Sequence, residues 1–284
     1  MLGIRIEGEY HWGYWVRIPG TSKQQSALPL PPPTSLIGAL AFPLARRGLL
    51  AESVGQGKIV GETIFPVFNG KCAPLSTASS FADAFLGASM FLNGKAIMWE
   101  DINKYTTVHF QTTTKDKPEE KAAGGRRYLE KYRTGAISSG KVLYPKGKAT
   151  VFFIFDEETL SKYILPPWDR NLEETLWSIS RIGCKESIFS VNKAELVEVK
   201  KKSEDVVKTK LYFPAEAGEV RTGEEFRSYK LAFWKGGWGR DDPPVFSEYV
   251  IPGSRSPISS EAISVRVKGS SYEFASDEVM ILER

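Results

Sequence analysis

SALPLPPPTSLIGAL, residues 26–40, is the stretch on which the fold turns. Pro31, Pro32 and Pro33 stiffen the chain into an extended, polyproline-like ramp. The ramp runs into Thr34, a small polar residue suited to an N-cap. Leu36, Ile37, Leu40, Ala41 and Leu44 then recur at helical spacing. Pro43 is expected to kink or shorten this helix. Arg46 and Arg47 suit its negative end, and Gly48 suits its stop. Ahead of the ramp, Leu2, Ile4 and Ile6 alternate with Gly3, Arg5 and Glu7, and Tyr14, Val16 and Ile18 resume the period. This predicts a long opening strand, broken near Gly13 and ended by Pro19-Gly20.

Working outward, residues 50–100 give no clear pattern, whereas Thr106, Val108 and Phe110 alternate like a strand. A polar stretch, TTTKDKPEEKAAGGRRYLEKYRTGAISSGK, follows at 112–141. ATVFFIFD (149–156) reads as a buried strand whose Asp156 caps a short helix, EETLSKYI. Beyond Pro166-Pro167 a second amphipathic helix is predicted. Asp169 or Asn171 would cap it, Leu172, Leu176 and Ile179 form its stripe, Arg181 lies in its last turn and Gly183 ends it. Ile188–Val191 and Leu196-Val197 look like strands.

The order is strand, helix, strand, strand, helix, strand. This predicts an α+β, ferredoxin-like βαββαβ domain over residues 1–200. A basic insertion is expected between its strands, over residues 115–148. Glycines, prolines and short apolar runs predict a small β-rich region over 201–284.

The 284 residues suit one large or two modest domains, and 42% apolar residues supply a core. A net charge of +4 is too mild to prove a polyanion partner, so any basic patch must be local. Cys72 and Cys184 make neither a disulfide framework nor a zinc quartet, and His11 and His109 are too few for a histidine-rich metal site. No metal or cofactor is expected. MLGIRIEGEYHW does not read as a signal peptide, and no apolar run approaches the roughly 20 residues that cross a bilayer. A cytoplasmic protein without a membrane partner is the expectation.

Charge is concentrated in one place. Residues 115–148 carry ten basic side chains against four acidic ones, a surplus larger than that of the whole chain. Tyr128 and Tyr132 share a face if RRYLEKYR is helical. Cations interleaved with rings suit single-stranded nucleic acid, although a solvated loop has the same composition. In RIGCKES (181–187), Gly183, Lys185 and Ser187 offer donors to a phosphate, or simply a helix stop before a strand. Metal-independent RNA cleavage needs a base, an acid and a cation. His11 with Tyr10 or Tyr14, or His109 with Lys104 and Tyr105, has the residue types but no demanding spacing. GxxxxGK[ST], GxSxG, HExxH and CxxC are absent from the sequence. WKGGWGRDD (234–242) reads as a loop.

RIPG (17–20) followed by LPLPPPTSLIGAL (28–40) resembles the N-terminal signature of CRISPR-associated protein family five, a RAMP-superfamily subunit of type I Cascade complexes. SRIGCKESIFSV (180–191) resembles the family's LGRKES stretch, with Cys184 where arginine is common. The resemblance covers residues 1–200 best, and the middle segment is most similar to subtype I-A.

It implies an RRM-like domain with a thumb-like insertion, for which the basic segment at about 111–148 is the candidate. It also implies a protein that holds the 5′ handle of crRNA, caps a filament of backbone subunits, docks near the large subunit and engages target DNA indirectly in antiviral defence. In one branch, subtype I-C, a tyrosine just before the first helix cleaves precursor crRNA together with a lysine and a histidine. SALPLPPPT has no tyrosine, which argues against that role here.

A non-catalytic crRNA-binding subunit is therefore the first expectation. Arg17, Thr34, Ser35, Arg126, Arg127, Lys131, Arg133, Arg181 and Lys185 are its candidate RNA contacts. A metal-independent endoribonuclease is the alternative. A subunit working mainly by protein contact, with Trp12, Trp15, Trp234 and Trp238 as anchors, is the third. The ramp either packs or positions a helix N-terminus for phosphate.

Overall fold

Alternation puts Ile4 and Ile6 on the buried side of the first strand, β1 (Leu2–Tyr10), and leaves Arg5 and Glu7 half-exposed on the other. The computed structural model describes residues 1–17, 24–50, 84–106, 134–233 and 245–283, with short strand pairs between 58 and 72. The remaining elements that position the site are α1 (Pro33–Arg46), β2 (Phe85–Leu92), β3 (Ile97–Thr106), β4 (Thr134–Leu143) and β5 (Gly147–Phe155). They continue with α2 (Glu157–Ser161), α3 (Trp168–Leu176), β6 (Phe189–Lys202), β7 (Phe226–Phe233), β8 (Val245–Pro252), β9 (Ser270–Phe274) and β10 (Val279–Leu282).

β1 lies mid-sheet. It pairs antiparallel with β5, Ile4 opposite Phe153 and Ile6 opposite Val151, and with β6 on its other side. β2 adds to β5, while β9 and β10 add to the far end of β6. The result is a six-stranded sheet in the order β10-β9-β6-β1-β5-β2. The architecture is mixed α/β, rich in sheet, with few helices among the described residues. None of those helices is long and apolar enough to cross a membrane.

Leu36, Ile37, Leu40 and Leu44 of α1 and Leu172 and Leu176 of α3 pack with Ile4, Ile6, Phe153 and Phe155 in one buried cluster. The opposite face divides in two. Phe152, Ile154, Val199, Phe274 and Met280 make a second cluster under β9 and β10. Beyond it Arg5 pairs with Glu7 at 2.6 Å and with Glu195 at 2.9 Å, and Lys193 pairs with Glu195 at 2.9 Å. The C-terminal residues thus complete the sheet, and the boundary expected near residue 200 falls inside β6.

Several local expectations need correction. α1 starts at Pro33 behind Pro32 and has no side-chain cap, so Thr34 is not its N-cap. The Pro32 carbonyl accepts from the Ser35 and Leu36 amides at 2.9 and 3.2 Å, and the ramp itself sets the entry geometry. Pro43 does not end the helix, which runs to Arg46, and Gly48 follows with φ +66°. α3 opens behind Pro167, without a cap from Asp169 or Asn171. It stops at Leu176 because the chain turns to pair again, the Phe189 amide donating to the Ser180 carbonyl at 3.0 Å. Arg181 and Gly183 therefore lie beyond the helix. Residues 134–143, expected within a basic loop, are the strand β4, and Lys148 lies in β5.

Candidate nucleic-acid interface

After β1 the chain crosses from the sheet to the base of the β3–β4 arm, and each residue of that crossing is held. The Trp12 indole donates to the Glu186 carbonyl at 2.6 Å. Gly13 and Tyr14 pair with Leu143 and Val142 of β4. The Trp15 amide donates to Ser187 Oγ at 3.0 Å, and the Trp15 carbonyl accepts from the Cys184 amide at 2.9 Å. The Val16 carbonyl accepts from the Leu28 amide at 2.8 Å, and Arg17 bridges to Ala27. The RIGCKES turn, the ramp and the arm therefore meet along residues 12–17.

Gly183 makes that meeting possible. Its φ is +119°, and a Cβ there would lie 2.8 Å from Ser187 Oγ and 3.1 Å from the Trp15 carbonyl oxygen. Only glycine adopts this conformation at little cost while letting two backbones approach so closely.

Three cation–ring pairs lie along the junction. The Arg17 guanidinium sits 4.5 Å from the Trp15 ring centroid, that of Arg181 4.8 Å from Phe42, and the Lys141 ammonium 6.0 Å from Trp12. Among the described residues none of these cations has an ion-pair partner, so their donors remain available to an anion. The pair at Phe42 closes a cleft of about 250 Å³ lined by Ser35, Gly38, Ala39, Phe42, Ser180, Arg181 and Gly183. The first turn of α1 carries no acidic residue to offset its positive end.

Of the sequence-predicted contacts, Ser35 and Arg181 meet in the cleft, with Thr34 half-buried beside Ser35. Arg17 stands nearby on the Trp15 ring. Lys185 points outward, 80% exposed, 3.7 Å from Glu186, and does not join the cleft. Arg126, Arg127, Lys131 and Arg133 lie outside the described residues, as do Trp234 and Trp238. Phe42 and Lys141 join the site without being among the contacts expected from sequence. Phe42 is a large ring off the buried stripe of α1, which is a usable signal, whereas Lys141 is one cation among ten in its segment.

The histidine constellation considered around His11 does not assemble. His11 Nε2 lies 2.7 Å from Ser190 Oγ at the surface. The Tyr10 hydroxyl donates to the Ile182 carbonyl at 3.4 Å and that of Tyr14 to the Pro29 carbonyl at 2.6 Å, and burial raises both pKa values. Neither phenol is free to act as an acid. His109 and the side chains of Lys104 and Tyr105 lie outside the described residues.

No family model matches the chain. Curated proteins of Saccharolobus solfataricus do, two of them at 31% identity or more. The "CRISPR system aCascade subunit Cas5 1" is 31% identical over 283 residues, covering 99% of both chains. The "CRISPR-associated protein Cas5 3" is 32% identical with the same coverage. The chain belongs to the Cas5 family. In fold, this Cas5 protein is similar to a crystal structure of a CRISPR protein from Archaeoglobus fulgidus, at TM-score 0.56 and 22% identity over 100% of each chain.

Proposed function

We propose that this Cas5 protein is a non-catalytic subunit of a type I CRISPR effector complex, of subtype I-A, that holds the 5′ handle of crRNA. The observation that carries this reading is the line of cation–ring pairs, Lys141/Trp12, Arg17/Trp15 and Arg181/Phe42, whose cations have no anionic partner among the described residues. Guanidinium and ammonium groups supply phosphate contacts, and rings supply stacking surfaces for unpaired bases. The name of the relative as an aCascade subunit supports the assignment to such a complex. In this reading the protein caps a filament of backbone subunits, docks near the large subunit and supports target DNA recognition in antiviral defence, in the cytoplasm.

The β6-β1-β5-β2 order, with α1 and α3 on one face, supports reading this part as a ferredoxin-like RAMP domain with β3 and β4 rooting its thumb. An RRM stacks bases on aromatics of its sheet face. Here that face is given to the Arg5–Glu195 ion pairs and to the C-terminal cluster. RNA is therefore assigned to the junction at residues 12–17 and 181–187.

The test is binding of single-stranded handle RNA across a salt series in EDTA. Arg17→Gln with Arg181→Gln should weaken binding and lower the salt slope by about 0.7 for each phosphate that is no longer neutralised. Arg126→Ala with Arg127→Ala should act in the same direction. An unchanged slope in both variants removes the reading. Specific cleavage of precursor RNA that vanishes in His11→Ala or His109→Ala replaces it with an endoribonuclease.

A further inference from the structure

We propose that Trp99 is a stacking platform for an unpaired base of a bound single strand, extending the cation–ring track onto the β3–β4 arm. This rests on the RNA-binding reading above.

β3 and β4 pair from Ile97 opposite Leu143 to Thr106 opposite Thr134, which sets Trp99 directly across from Lys141. Directly opposed residues project from the same face of a ladder. At the base of the arm the other face is packed, with Met98 half-buried and Val142 fully buried, while Glu100 and Ile102 further along that face are exposed. On the outward face Trp99 is 55% exposed and Ile97 61% exposed. Leu143, opposite Ile97 and 38% exposed, adjoins them on that face, and a contiguous exposed apolar patch of this kind, unlike a lone ring, marks a contact surface.

Lys141 connects this ring to the junction. Its ammonium lies 6.0 Å from the Trp12 ring, and that indole is fixed by its bond to the Glu186 carbonyl. The order Trp99, Lys141, Trp12 thus alternates ring, cation and ring, as a strand with alternating bases and phosphates requires. Asp101 is on the same face as Trp99, one step towards the tip, and its Oδ1 accepts from the Ile102 amide at 2.7 Å. A carboxylate there disfavours phosphate, so Trp99 receives the base while the backbone lies on the Lys141 side. Stacking uses the π-face common to all bases, so the recognised class is single-stranded nucleic acid without sequence preference at this step.

The experiment compares the full-length protein with Trp99→Ala, Trp99→Phe and Arg181→Gln by anisotropy on fluorescent handle RNA at several salt concentrations. Trp99→Ala should lose roughly 5- to 100-fold in affinity at unchanged salt slope, because stacking releases no counterion. Trp99→Phe should recover most of the loss, and both variants should melt with the wild type. Arg181→Gln should lower the slope. Wild-type affinity in Trp99→Ala beside weakened Arg181→Gln overturns the role of Trp99 alone. The same result with lost co-purification of a neighbouring subunit reassigns the face to protein contact. A wild-type protein that binds no RNA overturns the functional reading and this inference with it.

Discussion

The hydroxyl of Tyr14 donates to the carbonyl oxygen of Pro29 at 2.6 Å, inside the protein and away from water. Two residues on, Tyr212 donates to the Pro31 carbonyl at 2.9 Å. A proline ramp has too few amides to build a ladder, yet its buried carbonyls still require donors. Two tyrosines from distant parts of the chain supply them, and burial raises both pKa values, so the phenols remain donors at ordinary pH. The ramp is therefore a packed strut held between the opening segment and the C-terminal region, with the cleft at the helix it introduces.

Tyr14→Phe should strand the Pro29 oxygen and cost about 1–3 kcal/mol. Urea denaturation measures this directly. A variant as stable as the wild type would mean that another donor, or water, reaches that carbonyl.

Gly183→Ala should cost about 1–3 kcal/mol through its φ of +119° and the close approach to Ser187 Oγ. Because Ser187 and Cys184 hold Trp15, the variant should also disturb the Arg17/Trp15 pair and weaken RNA binding. Melting curves and anisotropy on the same samples separate the two effects. Reduced stability with intact RNA affinity would detach the turn from the interface.

Asp156 gives a pH test. Its carboxylate accepts from the Thr159 hydroxyl at 2.6 Å and the Thr159 amide at 2.9 Å, and these bonds lower its pKa, the hydroxyl bond foremost. A folded value below the unfolded one, near 3.9, gives stability that is fully present above the unfolded value and lost as pH falls through the folded value. Asp156→Ala should therefore melt below the wild type at pH 7, with the gap closing in melts taken at successively lower pH under 4. A gap independent of pH would show that the cap does not act through its charge.

What the sequence made legible was local. Alternation marked β1, spacing marked the stripe of α1, and Asp156 before EETL marked a cap, each a property of neighbours along the chain. β4 was hidden because TGAISSGKVL is poor in strand formers. Its Gly140 is required by the ramp, since a Cβ would meet the Ala27 amide nitrogen at 2.5 Å. The end of α3 was misplaced because Gly183 resembles a helix stop but serves the contact with Trp15. The cation–ring pairs join Trp12 to Lys141 and Phe42 to Arg181, and pairings so distant in sequence leave no periodic trace.

Arg227 supplies the last prediction. It lies on β7, on the same face as the half-buried Tyr229 and the fully buried Leu231. All three guanidinium nitrogens are buried, and among the described residues none makes a hydrogen bond of good geometry, with only the Tyr229 hydroxyl beside them. Burial lowers the pKa, neighbouring Tyr229 opposes the shift, and Arg255 adds to it. A cation withdrawn from water and only partly compensated, with no carboxylate beside it among the described residues, opposes folding. Arg227→Met keeps the apolar stem and removes the charge, so it should raise stability by about 1 kcal/mol in urea titration. Arg227→Lys retains a charge there and should not gain. RNA affinity should hold in both, because Arg227 is not one of the three stacked cations. A methionine variant less stable than the wild type would mean that the guanidinium finds an anion in solution and that its burial is compensated.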